Sequence, residues 1–458
     1  MQMRIVGLIA VAMFVAVLES SAAPPLPLDK QIEYFRKRVA AREKDYSSRA
    51  ILGRLYLKQA QQDGDGSRYD DAEDIFRDAL KINPNDPGSL LGLSSALSAQ
   101  HQFAEALELA QKVYRKDPEQ LEALAEIGDA QLELGQYDEA EASFKKLHEQ
   151  IPTAPVLGRL ARIAEIRGQQ QEGVELLTRA LRLATGAGAD KKEQSWYQQR
   201  IGELELQRGR LDDATRWFNI ILIAVPDDAE ALPALALVQA LQGKLSEAEK
   251  LYRRALELRP TETIVIALAD LKQVQGKTAD AQALYAIARE HLEHAVDVED
   301  DAQAESPQKA SSTEATATKP EYDFAGKFVH THSHRYASAH QRHLSLFYSE
   351  HDLLPKLAVK LARQEFKIRQ DVYTHDALAW ALYRNGDYAE AARESAAALK
   401  PGTRDAKLYF HAGMIQLKLG NRDEAKKLLA AVAEINPHFS LLDRDLARTT
   451  LAELTAKE

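Results

Sequence analysis

Residues 127–152 read IGDAQLELGQYDEAEASFKKLHEQIP, and residues 201–226 read IGELELQRGRLDDATRWFNIILIAVP. In both, an isoleucine–glycine pair (Ile127-Gly128, Ile201-Gly202) is followed at one interval by a second glycine (Gly135, Gly209). A small residue (Ala140, Ala214), a phenylalanine (Phe144, Phe218), an aliphatic residue (Leu147, Ile221) and a proline (Pro152, Pro226) then follow at the same spacings. The apolar residues recur at helical intervals on either side of the second glycine, so each stretch predicts two amphipathic helices and a tight turn. Glycine at the turn permits a left-handed backbone. The small residues let the two helices approach, the aromatic fills the gap between neighbouring hairpins, and proline ends the second helix. A single hairpin cannot bury its apolar face, so a stack is required.

Working outward, Ala72, Phe76, Ala79 and Pro84 carry the second half of the pattern, as do Ala106, Ala110, Val113 and Pro118; each set lies 34 residues from the next, down to Pro152. Ala248, Tyr252, Ala255 and Pro260 follow the Ala214 set, again 34 residues on. Leu235-Ala236 leads to Gly243, and Leu268-Ala269 to Gly276. Two units are weaker. Leu52-Gly53 and Tyr56 are separated from Ala72 by an insertion around Gln61 to Arg68, and the unit with Leu160-Ala161, Gly168, Gly173, Leu177 and Ala180 lacks a closing proline. Its Thr185–Ala189 end predicts a flexible joint. Farther on, Ala379, Gly386 and Ala391 mark one unit, and Gly413, Gly420, Ala425, Leu429, Val432 and Pro437 the next, with a degenerate unit (Leu344, Tyr348, Ala358) before them.

This period and these residues resemble the tetratricopeptide-repeat family over most of the chain. The resemblance implies an all-α solenoid, a right-handed superhelix of helix-turn-helix units in two arrays. It also implies a binding role without catalysis or cofactor, with partner proteins or peptides on the concave face lined by each unit's first helix. We expect an N-terminal array at residues 23–295 (about seven units) and an acidic, Ser/Thr-containing linker at 296–335 running into a histidine-rich segment. A C-terminal array at 336–458 (about three units) ends in a capping helix over Leu441–Ala456. Exported bacterial members of the family serve as scaffolds or adaptors, which implies a periplasmic or secreted setting.

Composition agrees with a binding role. The 458 residues carry a formal net charge of −10 and no cysteine, which excludes disulfides, thiolate metal sites and a cysteine nucleophile. No long basic arm is present, so nucleic acid is not an expected partner. Arg4 followed by the apolar run Ile5–Leu18 and the small residues Ser20 to Ala23 predicts a signal peptide over residues 1–22. No later stretch predicts a membrane span.

Two inner stripes are the expected partner-binding sites. In the C-terminal array, Tyr373, Trp380 and Tyr383 share one helical stripe and Phe410, Met414 and Leu417 another, an apolar and aromatic groove that either anchors peptides or is filled by the capping helix or the histidine-rich segment folding back. The N-terminal stripe is polar and mostly acidic, with Glu122, Asp129, Arg162, Glu165, Trp196, Gln199 and Glu203, and suits a basic or extended ligand. An alternative is metal handling by the segment His330 to His351, which holds six of the thirteen histidines, with zinc, copper or nickel on His330, His332, His334, His340 and His343 and with His351 at its end. Asp63-Gly64-Asp65 begins like a calcium loop, but Arg68 stands where that loop needs glycine. No H-E-x-x-H or G-x-S-x-G motif is present.

Overall fold

The computed structural model describes residues 26–63, 66–296 and 338–456. Among them are 22 α-helices and no strand. Two compact units divide the chain.

The first unit holds residues 26–152, with short pieces at 338–339 and 367–371. Its helices are α1 (Leu28–Ala41), α2 (Tyr46–Asp63), α3 (Ser67–Ile82), α4 (Pro87–Ala99), α5 (Phe103–Lys116), α6 (Leu121–Glu133) and α7 (Tyr137–Gln150). Helices α2 to α7 pair as three hairpins. Phe144 on α7 and Phe76 on α3 are fully buried. Each ring lies where a glycine leaves room: a Cβ on Gly128 would sit 2.3 Å from the Phe144 ring, and one on Gly92 would sit 2.2 Å from the Phe76 ring. The glycine–aromatic spacing read from the sequence is thus a packing requirement. Asp86 caps α4 by accepting from the Ser89 amide at 2.8 Å, with Pro87 in the first turn.

The second unit holds residues 153–296, 340–366 and 372–456. It begins with α8 (Ala154–Ile166), α9 (Gln170–Gly186), α10 (Lys191–Gln207), α11 (Leu211–Ala224), α12 (Ala231–Leu241), α13 (Leu245–Leu258), α14 (Glu262–Val274) and α15 (Thr278–Val296). It continues with α16 (Ser338–Glu350), α17 (Pro355–Phe366), α18 (Val372–Asn385), α19 (Tyr388–Leu399), α20 (Ala406–Lys418), α21 (Arg422–Ile435) and α22 (Arg444–Ala456).

Three sequence expectations change. Helices from both sides of residues 297–337 share one compact unit, so the units do not follow the expected array boundary. Thr185 and Gly186 are the last turn of α9, which ends at a positive-φ glycine, Gly188, in place of a proline. The capping helix starts at Arg444, three residues later than expected, and buries Ala447, Thr450 and Leu454. The signal-peptide stretch, Gly64, Asp65 and most of the expected linker lie outside the described residues.

In the second unit the C-terminal helices turn back along the earlier ones. Thr403 Oγ1 donates to the Ile166 carbonyl at 2.7 Å, Gln170 Nε2 donates to the Arg404 carbonyl at 2.7 Å, and Asn436 Nδ2 donates to the Leu206 carbonyl at 2.9 Å. These contacts set the inner surfaces of α8 and α10 opposite that of α18.

Candidate functional site: the inner face of the second unit

The inner face is built one residue per hairpin. The residue after each hairpin's small first-helix residue points along it: Arg162 after Ala161, Glu203 after Gly202, Asp270 after Ala269 and Trp380 after Ala379. The same position in the first unit holds Arg54 and Asp129.

Around α8 and α10 the center is Glu165, 2% exposed, which pairs with Arg162 at 2.8 Å and with Arg200 at 2.9 Å. Gln207 Nε2 donates to it at 3.2 Å and the Tyr373 hydroxyl at 3.5 Å. Burial by itself raises a carboxyl pKa, but Arg162 and Arg200 outweigh it and hold Glu165 at about 2. The Arg162 guanidinium lies over the Tyr373 ring, 5.4 Å from its centroid. Arg162 and Tyr373, read from the sequence as parts of separate stripes, therefore meet.

Farther along, Tyr285 donates to Asp270 at 2.6 Å, and the His351 ring packs on Tyr285 at a tilt of 48°, with ring centroids 4.3 Å apart. Burial pushes the Asp270 carboxyl up to about 7, against the Tyr285 hydrogen bond and with the help of the Glu350 charge. Burial lowers His351. Lys407 pairs with Glu350; the lysine is raised and the carboxylate lowered, each against the effect of its burial. Their side chains remain 39% and 29% exposed, so water reaches this part of the inner face.

The expected aromatic groove is interior. Trp380, Phe410, Tyr383 and Met414 are buried, and Leu417 packs beside them. Trp380 stacks on Tyr383 at 4.6 Å and on His411 at 4.0 Å, under the Arg384 guanidinium. Phe439, in the turn before α22, closes on Phe410 at 5.3 Å. Phe439 and α22 fill the groove, the second of the two states that the sequence allows. His411 and Asp376 form a buried pair at 2.9 Å beneath it.

Trp196 and Gln199 on α10 are placed differently. Gln199 is buried and donates from Nε2 to Glu203 at 3.0 Å, but its Oε1 meets no hydrogen-bond partner. The Trp196 Nε1–H and the neighboring Ser195 hydroxyl are likewise buried and unpartnered among the described residues. One helical stripe thus carries a donor, an acceptor and a hydroxyl that the chain does not satisfy. In the first unit, Glu122 is half-buried and its carboxyl is raised by burial, with Arg54 opposing, while Asp129 is buried. His330, His332 and His334 lie outside the described residues, as does the His340 side chain; His343 is half-buried on α16. Among the described residues no group of three or more His, Asp or Glu is set to hold a metal ion, and no helix is long and apolar enough to cross a membrane.

Sequence reasoning missed Asp270, Tyr285 and Glu350, and singled out His351 only as the last histidine of the segment that begins at His330. Asp270 was within reach, because it follows Ala269 as Asp129 follows Gly128. Glu350, and the place of His351 on the inner face, were not, because their hairpin lacks the repeat's glycines.

Comparison with known proteins agrees with this architecture. Tetratricopeptide-repeat family models match residues 97–163, 200–263 and 406–439. Tetratricopeptide repeat protein 8 of Caenorhabditis elegans is 25% identical over 173 residues, 38% of this chain and 33% of that protein. The CTR9 homolog of Arabidopsis thaliana is 41% identical over 59 residues, 13% of this chain and 5% of that protein. The chain thus spans a third or less of the length of these relatives. Among solved structures, YrrB, described as a TPR protein with an unusual peptide-binding site, is 20% identical, with a TM-score of 0.30, over 42% of this chain and 95% of that one. MamA is 22% identical, with a TM-score of 0.30, over 36% of this chain and 94% of that one.

Proposed function

Since this chain is a tetratricopeptide-repeat protein, we propose that it is a noncatalytic scaffold that holds an extended segment of a partner protein along its inner helix faces. We propose further that α10 is the center of that site and that the chain is exported. The observation that carries the site is the α10 stripe. Buried polar atoms in native proteins are nearly always hydrogen-bonded, and an unmet one costs about 1–3 kcal/mol. Trp196 Nε1–H and Gln199 Oε1 are such a donor and acceptor, on the inner face, beside Arg162, Arg200 and Glu203. A peptide backbone offers a matching carbonyl and N–H at each residue, and the surrounding charges select its side chains. The apolar run Ile5–Leu18 after Arg4 supports export.

The test is Trp196→Phe, which keeps the ring and removes the donor. Dodecapeptides selected from a displayed library against the full chain are titrated into both proteins. Binding is expected to weaken about 5- to 10-fold, the loss of one hydrogen bond of about 1 kcal/mol. Thermal stability of the free chain should stay level or rise, because an unpaired donor is gone. Unchanged affinity would remove α10 from the site.

A further inference from the structure

We propose that residues 372–456 form an arm latched onto the turns of the α8–α9 and α10–α11 hairpins, and that this latch holds Tyr373 on the inner face at Arg162 and Glu165, beside α10, until a partner displaces it. The proposal rests on the reading of the inner face as a binding site.

The latch is visible in what surrounds the turn glycines. In the second unit Gly168, Gly209, Gly243, Gly276, Gly386 and Gly420 all have positive φ, as the hairpin turn requires. At four of them a Cβ would meet nothing within 4 Å: Gly243, Gly276, Gly386 and Gly420. At Gly168 it would sit 2.3 Å from the Gly402 carbonyl oxygen, and at Gly209 it would sit 3.0 Å from Asn436 Oδ1. The two exceptions are the turns on which the arm is seated.

The arm also donates to carbonyls at the ends of the first helices, of which Leu206 accepts from the Gly209 amide as well, at 3.0 Å. The last carbonyls of an α-helix have no partner within the helix. Thr403 donates to the Ile166 carbonyl at the end of α8, Asn436 to the Leu206 carbonyl at the end of α10 and Arg444 to the Leu241 carbonyl at the end of α12, the last at 3.2 Å. The donors come one per hairpin, in order along both stretches of chain.

Among the described residues, the apolar clusters on the two sides of this seat are largely separate. The arm's cluster is made of α16–α22 with Leu292, and Ile266 and Tyr285 pack against it from α14 and α15. The clusters of α8–α10 and α11–α12 contain no arm residue. Leu441 alone reaches the α12–α15 cluster. Among the described residues the apolar clusters join α15 to α16, and the contacts that seat α18–α22 on the α8–α11 turns include the hydrogen bonds of Thr403, Asn436 and Gln170. Polar contacts of this kind exchange readily with water, as in interfaces that open. With the arm seated, Tyr373 lies on Arg162 and Glu165, next to Arg200 of α10.

The absence of cysteine makes the test clean. In the full chain, Gly402→Cys with Arg167→Cys joins arm to turn, since a Cβ on Gly402 would lie 3.5 Å from the Arg167 carbonyl oxygen. Thr403→Ala with Asn436→Ala removes two latch donors, and Gly168→Ala wedges the seat; Gly243→Ala carries the same backbone strain at an open turn. Hydrogen exchange of α10 and α18 and affinity for the library-selected dodecapeptide are measured together. We expect exchange of α18 to rise at least 10-fold, and affinity to rise, in the latch and wedge variants but not in Gly243→Ala. The oxidized cysteine pair should lose peptide binding and regain it on reduction. Unchanged exchange in both the latch and wedge variants overturns the latch. Faster exchange with equal affinity in oxidized and reduced chains overturns the gate, while a persisting effect of Trp196→Phe then shows that the binding site itself stands. If Trp196→Phe is also silent, the binding reading has failed as well, and the gate falls with it.

Discussion

Replacing Glu165 with glutamine isolates the charge at the center of the inner face. Glutamine keeps the volume and can still accept from Tyr373 and Gln207, so the change removes an anion between Arg162 and Arg200 and little else. The carboxyl falls from its ordinary 4.5 to about 2 in the fold. At about 1.4 kcal/mol per pH unit, that corresponds to about 3 kcal/mol of stability, with little screening at a side chain 2% exposed. The sign is that of a depressed acid: the contribution is complete above 4.5 and is lost as pH falls toward 2. Urea unfolding followed by tryptophan fluorescence reads it, because Trp196 stands on α10 beside Arg200. At pH 7 the variant's midpoint should fall by about 1 M or more for a slope of about 3 kcal/mol/M. The gap should hold from pH 7 to pH 5 and narrow to about 1.5 kcal/mol near pH 3. A gap below about 0.5 kcal/mol at pH 7, the level of an exposed ion pair, would refute the reasoning, as would a gap that does not change with pH.

Asp270→Asn should do the opposite. Its carboxyl is raised to about 7, so the cost of ionizing it is absent below 3.8 and complete above about 7; unfolding scans should show stabilization at pH 8 and none at pH 4. A quarter of the side chain is open to water, so about 2 kcal/mol is the expected gain. Phe218→Ala, which empties a fully buried site against Gly202, should cost about 3–5 kcal/mol and speed hydrogen exchange of α10 and α11 first. Intact mass of the chain purified from its source should show a first residue near Ala23 if Ile5–Leu18 is a signal peptide; a chain that keeps Met1 would contradict export. Calorimetric titration with zinc should give one defined site if His330, His332, His334, His340 and His343 converge, and only weak heats otherwise.

The hairpins were legible because their determinants are local and recur. Gly128 and Phe144 sit in one hairpin, their spacing is imposed by a ring that needs the room of a missing Cβ, and the same constraint returns at Gly202 and Phe218. The α10 stripe was legible as a stripe, since Trp196 and Gln199 are three residues apart on one helix. What distinguishes it, atoms left without partners, depends on every neighbor and has no sequence signature. The aromatic groove of α18 and α20 was left open between two states for the same reason. Tyr383, Phe410 and Met414 have the spacing of an exposed anchor, and only Phe439 and α22 folding back decide that they are core. The arm's seat was invisible because Thr403 and Asn436 lie in linkers outside the periodic pattern, and because the turn already requires glycine at 168.

The central claim, that partners are held on the inner face at α10, is tested most directly by photo-crosslinking in the source cells. A diazirine amino acid is placed at position 199, on the inner stripe, or at position 223, which is 83% exposed on α11. The account predicts a discrete protein adduct from position 199 that Trp196→Phe diminishes, and none of that mass from position 223. Adducts from position 223 alone would place the binding surface on the outside of the hairpins and contradict it.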